Sequence, residues 1–158
     1  MQATQLLKKQ HREVKKLFGQ AKKATGGDRR IAMDEISAKL AVHMMIEEEI
    51  FYPAVREVGT KKANEIVPEA YEEHHVVKLV LAELPKVDLE DEQFEAKVTV
   101  LDELIEHHVE EEEEEMFALA EKLGPERLAE LGSEMQARAE MEAQAHDEAP
   151  RAARGNKS

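Results

Sequence analysis

Two pairs of histidine and glutamate stand four residues apart in this chain. His43 and Glu47 form the first pair, and His108 and Glu112 repeat the spacing in a similar acidic segment. Residues four apart lie on the same face of an α-helix, one turn from each other. An imidazole and a carboxylate placed in this way can bind one metal ion together, so metal binding is the first chemistry that the spacing indicates.

Two further histidines turn these pairs into a repeat. His11 and His74 precede the two pairs by nearly equal intervals, and each is followed by a valine three residues later and a lysine four residues later. Two helix pairs related in this way predict a bundle with pseudo-twofold symmetry. Each half would then bring one lone histidine and one histidine–glutamate pair to the middle of the bundle.

The six residues of this repeat fall on inward-facing helix stripes, where a polar group without a partner destabilises the fold. Taken singly, each histidine is more often a hydrogen-bonded core residue, and each pair is often a surface pair worth about 0.2–0.5 kcal/mol. The repetition in register favours ligation instead. Four imidazoles and two carboxylates without sulfur suit two ions of the iron or manganese type. The predicted ligands are His11, His43, Glu47, His74, His108 and Glu112.

Other titratable residues near the predicted ligands are interpreted as surface groups. Six consecutive glutamates, residues 110–115, cannot all point inward, and only Glu112 shares the stripe of His108. His75 and His107 each adjoin a predicted ligand and are rotated by about 100° from it on a helix. This rotation predicts helix-interface or surface positions for both.

The two tyrosines of the chain are interpreted as packing residues. Tyr71 precedes His74 by three residues, which is close enough for its side chain to approach the site. Tyr52 follows the first histidine–glutamate pair in the chain.

Composition narrows the class of protein and its partners. The chain has 158 residues, of which 36% are charged and 4% aromatic, a mixture typical of one helical domain. A net charge of −13 argues against nucleic acid and against an anionic membrane surface as partners. The absence of cysteine excludes disulfides and thiolate ligands. Without a membrane-length apolar run or an apolar signal region, we expect a cytoplasmic protein, whose oligomeric state stays open.

The elements that must position the ligands are helices. Apolar residues recur at helical spacing in four long segments and one shorter one, which predicts an all-α, antiparallel up-down-up-down four-helix bundle with a short fifth helix docked on it. We expect one domain over residues 1–145 and a flexible, disordered C-terminal tail over residues 146–158. The helices are predicted at about residues 3–24, from Asp28 to the turn at Gly59, and at about residues 61–84, 91–123 and 126–145.

Three residues mark expected irregularities in these helices. Asp28 is predicted to cap the second helix. Pro53 removes a backbone donor and is expected to kink or loosen the end of that helix. Pro68 predicts either a later start or a bend in the third helix.

Four segments of the chain resemble the hemerythrin-like, HHE cation-binding family, in family order and over about residues 5–122. The resemblance implies a four-helix bundle that holds an oxo- or hydroxo-bridged non-haem di-iron centre. The four histidines at matching positions would be terminal ligands, and Glu47 and Glu112 would bridge the two ions. The matching segments are LLKKQHREVKKLF, HMMIEEEIFYP, EEHHVVKLVLAEL and HHVEEEEEEMFALAEK.

One departure from the family pattern bears on function. Many members, including the oxygen carriers, have a further histidine one turn after the one that matches His74, and this chain has Lys78 there. His75, Glu73 or a water would have to replace it. Fewer imidazoles favour reaction with peroxide or another small oxidant over reversible oxygen transport.

Several functions fit a centre of this kind. The leading hypothesis is a di-iron protein that binds or reacts with dioxygen, peroxide or nitric oxide, in a stress response or in oxygen sensing. An iron store or donor without catalysis is the first alternative. A regulatory module whose metal-dependent packing controls partner binding is the second.

Overall fold

The computed structural model describes residues 1–148, and all regular structure in that range is helical. The prediction of an all-α bundle is confirmed. Two of the helical rods contain a π-helical turn and continue beyond it as a short α-helix. The helices are α1 (Ala3–Lys23), α2 (Gly26–Ile46) continued by a π turn (Glu47–Phe51) and α3 (Tyr52–Arg56), α4 (Lys61–Glu83) with a 3₁₀ turn (Leu84–Lys86), α5 (Glu92–Glu111) continued by a π turn (Glu112–Met116), α6 (Phe117–Ala120) and a 3₁₀ turn (Glu121–Leu123), and α7 (Pro125–Glu148).

Each π turn begins at the glutamate of a histidine–glutamate pair. Tyr52 donates its backbone N–H to the carbonyl of Glu47, and Phe117 donates to the carbonyl of Glu112. This five-residue spacing replaces the four-residue bond of an α-helix and inserts one extra residue into the turn. The residue five positions after each glutamate is therefore rotated onto the glutamate's own face.

The prolines are accommodated in different ways. Pro53 lies in the first turn of α3, directly after the π turn Glu47–Phe51, and a kink or loosening of the helix was expected near this residue. The second π turn forms with Ala118 at the matching position, so proline is not required for it. Pro68 lies inside α4, which begins earlier, after Thr60, whose hydroxyl accepts a hydrogen bond from the backbone N–H of Ala63 at 3.1 Å.

The prediction that Asp28 caps the second helix is wrong. Thr25 is extended, with ψ of 158°, and α2 begins immediately after it at Gly26. Gly26 has φ of 56°, a left-handed conformation that glycine adopts without steric cost. Asp28 therefore lies in the first turn, where a negative charge is favourable at the positive end of the helix dipole.

Two apolar clusters fill the bundle. Between them lies a layer of buried polar residues, called the polar layer below, which contains the six predicted ligands. The first cluster joins the start of α1 to both π turns and to α7, and includes Leu7, Phe51 and Met116. The second joins the remainder of α1, α2, α4 and α5, and includes Phe18 and Leu101. Burial of these clusters stabilises the bundle, and the polar layer between them is shielded from solvent.

Helix α7 packs along α1 and α2. Leu128, Leu131 and Met135 are at most 1% exposed and belong to the first apolar cluster. Gly132 permits close approach to the N-terminus of α1, because a Cβ there would meet the backbone of Met1 and Ala3. The helix was expected over about residues 126–145 and extends to Glu148; the rest of the predicted tail, residues 149–158, lies outside the described residues.

Within residues 1–148, the helices are too short or too polar to span a lipid bilayer.

Candidate metal centre

The six predicted ligands lie together in the polar layer between the two apolar clusters. None of them is more than 7% exposed, and Glu47 and Glu112 are at 0% and 1%. They come from α1, α2, α4, α5 and the first residue of each π turn. Their donor atoms form two groups able to hold a metal ion, and the groups share Glu47. One group consists of His11, His43, Glu47 and Glu112, and the other of Glu47, His74 and His108.

Each carboxylate extends between histidines of opposite halves. Glu47 places Oε2 at 3.3 Å from Nε2 of His43 and Oε1 at 3.0 Å from Nε2 of His74. Glu112 places Oε1 at 3.2 Å from Nε2 of His11 and Oε2 at 3.3 Å from Nε2 of His108. The arrangement has the pseudo-twofold symmetry that the sequence repeat predicts.

Three buried atoms of this cluster have no hydrogen-bond partner among the described residues. They are Nε2 of His11, Oε2 of Glu47 and Oε1 of Glu112. A buried polar atom without a partner destabilises a fold by about 1–3 kcal/mol, so native structures satisfy such atoms almost always. All three belong to one donor group, where a single bound cation would satisfy them together. The residues present therefore fit a metal ion.

Every one of the four histidines is held from behind by a side-chain oxygen. Nδ1 of each ring lies 2.5–2.7 Å from its partner oxygen, which favours a proton on Nδ1 and directs Nε2 toward the cluster. Carboxylates hold three of the rings and an amide holds the fourth. The pairs are His11 with Glu113, His43 with Gln10, His74 with Glu48, and His108 with Glu73.

Burial, neighbouring charges and hydrogen bonds shift the pKa values of residues in this cluster. Burial lowers the pKa of His108, but hydrogen bonds to Glu112 and Glu73 outweigh it and hold that pKa well above 6.5. Burial raises the pKa of Glu47, but the charge of His43 and the neighbouring hydrogen bonds bring it well below 4.5. Glu47 is thus ionised beside a protonated His108, and a bound metal ion would displace that proton.

Comparison with known proteins places this geometry in a family. Residues 2–120 match the hemerythrin HHE cation-binding domain. The chain belongs to this family. It is 28% identical over 144 residues to the uncharacterized proteins Rv2633c of Mycobacterium tuberculosis and Mb2666c of Mycobacterium bovis, covering 89% of this chain and 86% of each relative.

A solved structure shares the fold of this HHE domain. The crystal structure of an HHE cation-binding domain-containing protein of Mycobacterium kansasii, a homolog of Rv2633c, superposes with a TM-score of 0.81 and 27% identity. The match covers 92% of this chain and 90% of that one. The chain is therefore a hemerythrin-type HHE domain whose histidine and glutamate cluster is suited to binding metal.

Tyr52 is the residue of the HHE site that the sequence analysis missed. Its hydroxyl donates to Oε2 of Glu112 at 2.7 Å and lies 3.1 Å and 3.2 Å from Nε2 of His74 and His108. Burial, followed by the charges of Glu112 and Glu47, raises its pKa well above 10, so the hydroxyl keeps its proton. Only the π turn reveals this position, because on a regular α-helix a residue five after Glu47 would face away from it.

The side chains around Lys78 lie where many family members have a further histidine ligand. Lys78 binds the Glu48 carboxylate at 2.9 Å, and the same carboxylate accepts from His74. Glu73 lies behind His108, so its carboxylate is an outer partner of that ring. His75 is exposed, as predicted for it. Neither His75 nor Glu73 lies in the place that a fifth imidazole would fill.

A small cavity adjoins the HHE cluster. Its volume is about 30 Å³, close to that of one liquid water molecule. A larger surface groove of about 390 Å³ between α1 and α5 shares part of this wall, including Val14, Ile105 and Val109. The cavity is lined by the four clustered histidines and by Val14, Leu40, Met44, Val77, Ile105 and Val109.

Proposed function

We propose that this HHE domain binds two iron or manganese ions and that the centre binds or reacts with a small oxidant such as dioxygen, peroxide or nitric oxide. The observation that carries the proposal is the placement of Glu47 and Glu112. Each directs its two oxygens to histidines of opposite halves, which gives each carboxylate one oxygen for each ion. The four histidines would be terminal ligands.

The surrounding residues support tight binding of redox-active ions. The acceptors behind Nδ1 fix all four rings with Nε2 toward the cluster, which lowers the cost of ordering them around an ion. Two bound ions would supply the electrons that reduction of an oxidant requires. The Tyr52 hydroxyl would hold a proton between the histidines and Glu112, within reach of a small molecule bound there.

The size and lining of the cavity support the choice of ligand. A volume of about 30 Å³ favours a ligand of two heavy atoms, such as a diatomic molecule or a peroxide, over an organic substrate. Its walls beyond the imidazoles are aliphatic or thioether side chains, which suit weakly polar gases and neutral peroxide. Lys78 in place of a further imidazole supports reaction with an oxidant over reversible oxygen transport.

Metal analysis and an optical spectrum of aerobically purified protein test the proposal. We expect two ions per chain and, with iron, the absorption of a bridged ferric pair. Glu112→Ala should lose this absorption and at least one ion, whereas Glu114→Ala, at an exposed neighbour in the same π turn, should keep both. Two bound irons that react with none of peroxide, dioxygen and nitric oxide would refute the proposed reactivity.

Iron retention separates this function from that of an iron donor. The ligands are at most 7% exposed, so exchange requires the bundle to open. We therefore expect iron to survive a strong chelator in the folded protein. Rapid transfer of iron to an apo-acceptor would favour the donor role instead.

A further inference from the structure

The two tyrosines of the chain are in contact with each other. The ring centroids of Tyr52 and Tyr71 are 5.4 Å apart, with the rings inclined at 76°. Tyr52 is fully buried, whereas Tyr71 is half-buried and reaches the surface of α4. The chain has neither tryptophan nor cysteine. Its two readily oxidised aromatic side chains therefore form one adjacent pair.

This pair connects the candidate metal centre with the protein surface. At the inner end, the Tyr52 hydroxyl donates to Glu112 at 2.7 Å and lies 3.2 Å from Glu47. At the outer end, the Tyr71 hydroxyl donates to the backbone carbonyl of Glu48 at 2.7 Å, which fixes the ring against its neighbour. One side chain touches the site, and the other touches solvent.

The other half of the bundle fills the same positions without tyrosine. The pseudo-twofold repeat relates Tyr52 to Phe117 and Tyr71 to Lys8. Lys8 packs over the Phe117 ring with Nζ 5.9 Å from its centroid. This contact corresponds to the one between Tyr71 and Tyr52 in the other half. Phenylalanine and lysine thus satisfy the packing of this position, so packing alone does not explain a pair of phenols in one half.

We propose that Tyr71 and Tyr52 form a path for single electrons from the protein surface to the metal centre. This path gives the protein a peroxidase activity that uses small soluble reductants of the ascorbate class. The inference rests on the proposed function, since it requires an oxidant to be reduced at the centre. To the proposed function it adds a soluble reductant as the source of the electrons, which enter the protein at Tyr71.

The electrons and protons of this reaction balance. Hydrogen peroxide takes up two electrons and two protons to give two waters, and the electrons pass one at a time. In each passage Tyr52 gives an electron to the centre and its hydroxyl proton to the peroxide being reduced there; an electron from Tyr71 and a proton from solvent then restore Tyr52. Tyr71 loses its own proton to solvent and is left as a phenoxyl radical. One reductant molecule then returns a hydrogen atom to Tyr71.

Trapping of the radical in the metal-loaded full-length protein tests the path. The protein is mixed with hydrogen peroxide without a reductant, frozen for electron paramagnetic resonance, and in parallel labelled with the spin trap 2-methyl-2-nitrosopropane for mass spectrometry. We expect a tyrosyl radical that is trapped at Tyr71 and lost on addition of ascorbate. In Tyr71→Phe the radical should stay on the buried Tyr52, where electron paramagnetic resonance detects it but the trap does not label it, and ascorbate should quench it more slowly.

Tyr52→Phe provides the decisive comparison, because Tyr71 remains in place on the surface. Loss of the label at Tyr71 in that variant supports the path, and undiminished labelling shows direct surface oxidation and overturns it. Tyr71→Trp, which restores an oxidisable ring, should regain rapid quenching by ascorbate. Metal content and circular dichroism verify that each variant is folded and loaded.

The outcome also separates this inference from the proposed function. A protein that binds two ions and consumes peroxide but forms no tyrosyl radical overturns the electron path alone. A protein that binds no metal and leaves peroxide unchanged overturns both.

Discussion

The carboxylate of Glu48 accepts a hydrogen bond from Nδ1 of His74 at 2.7 Å, and Lys78 holds the same carboxylate at 2.9 Å. The lysine that replaces an expected histidine therefore acts on the site indirectly, through the orientation of His74. This is an outer contact of the kind that tunes metal ligands in proteins.

Removal of this outer contact should weaken metal binding. We expect Glu48→Ala to lower metal affinity by about 10–100-fold, as is typical when a ligand histidine loses its hydrogen-bond partner. The matched control is Glu49→Ala, because Glu49 is exposed and pairs with Arg138 on α7. Titration against a competing chelator measures both variants. Equal affinities for the two would show that the contact is irrelevant to binding.

The metal-free and metal-loaded proteins should respond to pH in opposite directions. Without metal, the raised pKa of His108 contributes stability that is complete below pH 6.5 and is lost as the pH rises through the folded-state pKa. The lowered pKa of Glu47 contributes stability that is complete above pH 4.5 and is lost as the pH falls through its folded-state pKa. Metal ligation needs deprotonated imidazole and so strengthens as the pH rises.

The thermal shift caused by metal should consequently widen between about pH 6 and about pH 8. Calorimetry of both forms across this range measures it. His75→Gln, which alters an exposed histidine, serves as a control and should leave the pH dependence unchanged. A shift that narrows with rising pH would contradict the assignment of His108 as a ligand.

Access to the small cavity should depend on Ile105. Its side chain lines both the cavity of about 30 Å³ and the surface groove of about 390 Å³, so it forms part of the wall between them. We expect Ile105→Ala to accelerate the reaction with peroxide or nitric oxide and Ile105→Phe to slow it, with unchanged metal content in both. Stopped-flow absorption measures the rates. Identical rates would place the entrance elsewhere.

The contact between α7 and the start of α1 should depend on Gly132. A Cβ at this position would lie 2.9 Å from the backbone nitrogen of Ala3 and closer still to the carbonyl oxygen of Met1. Because backbone must move, we expect Gly132→Ala to destabilise the protein by about 1–3 kcal/mol or more.

Gly19 offers the matched control for this substitution. It lies within α1, and a Cβ added there would have no neighbouring side chain or backbone within 4 Å, so Gly19→Ala should stabilise the helix by about 0.5–1 kcal/mol. Chemical denaturation of both variants measures the two free energies of unfolding. A neutral Gly132→Ala variant would show that α7 is free to shift away from α1.

The helices, and the convergence of the six predicted ligands in the middle of the bundle, could be predicted from the sequence. Helical periodicity assigns each residue to a face by local geometry alone, and the repeat in register places His11 and His74 at the same depth as the two pairs. The same reasoning failed at Tyr52, because regular α-helical spacing does not bring the residue five after Glu47 onto the face of that glutamate. It also failed at Asp28, because the left-handed conformation of Gly26 allows an earlier helix start.

The sequence by itself determined the helical class, the family and the set of residues suited to bind metal, since these follow from residue types and from spacing within single helices. Tertiary structure alone decided which oxygens hold the histidine rings, how the two carboxylates reach across the halves, and where the cavity lies. Such contacts join side chains far apart in the chain, and their partners depend on how the helices pack and rotate against each other. The position of Tyr52 depends on both, because the sequence supplies the tyrosine and the π turn rotates its side chain into the centre of the site.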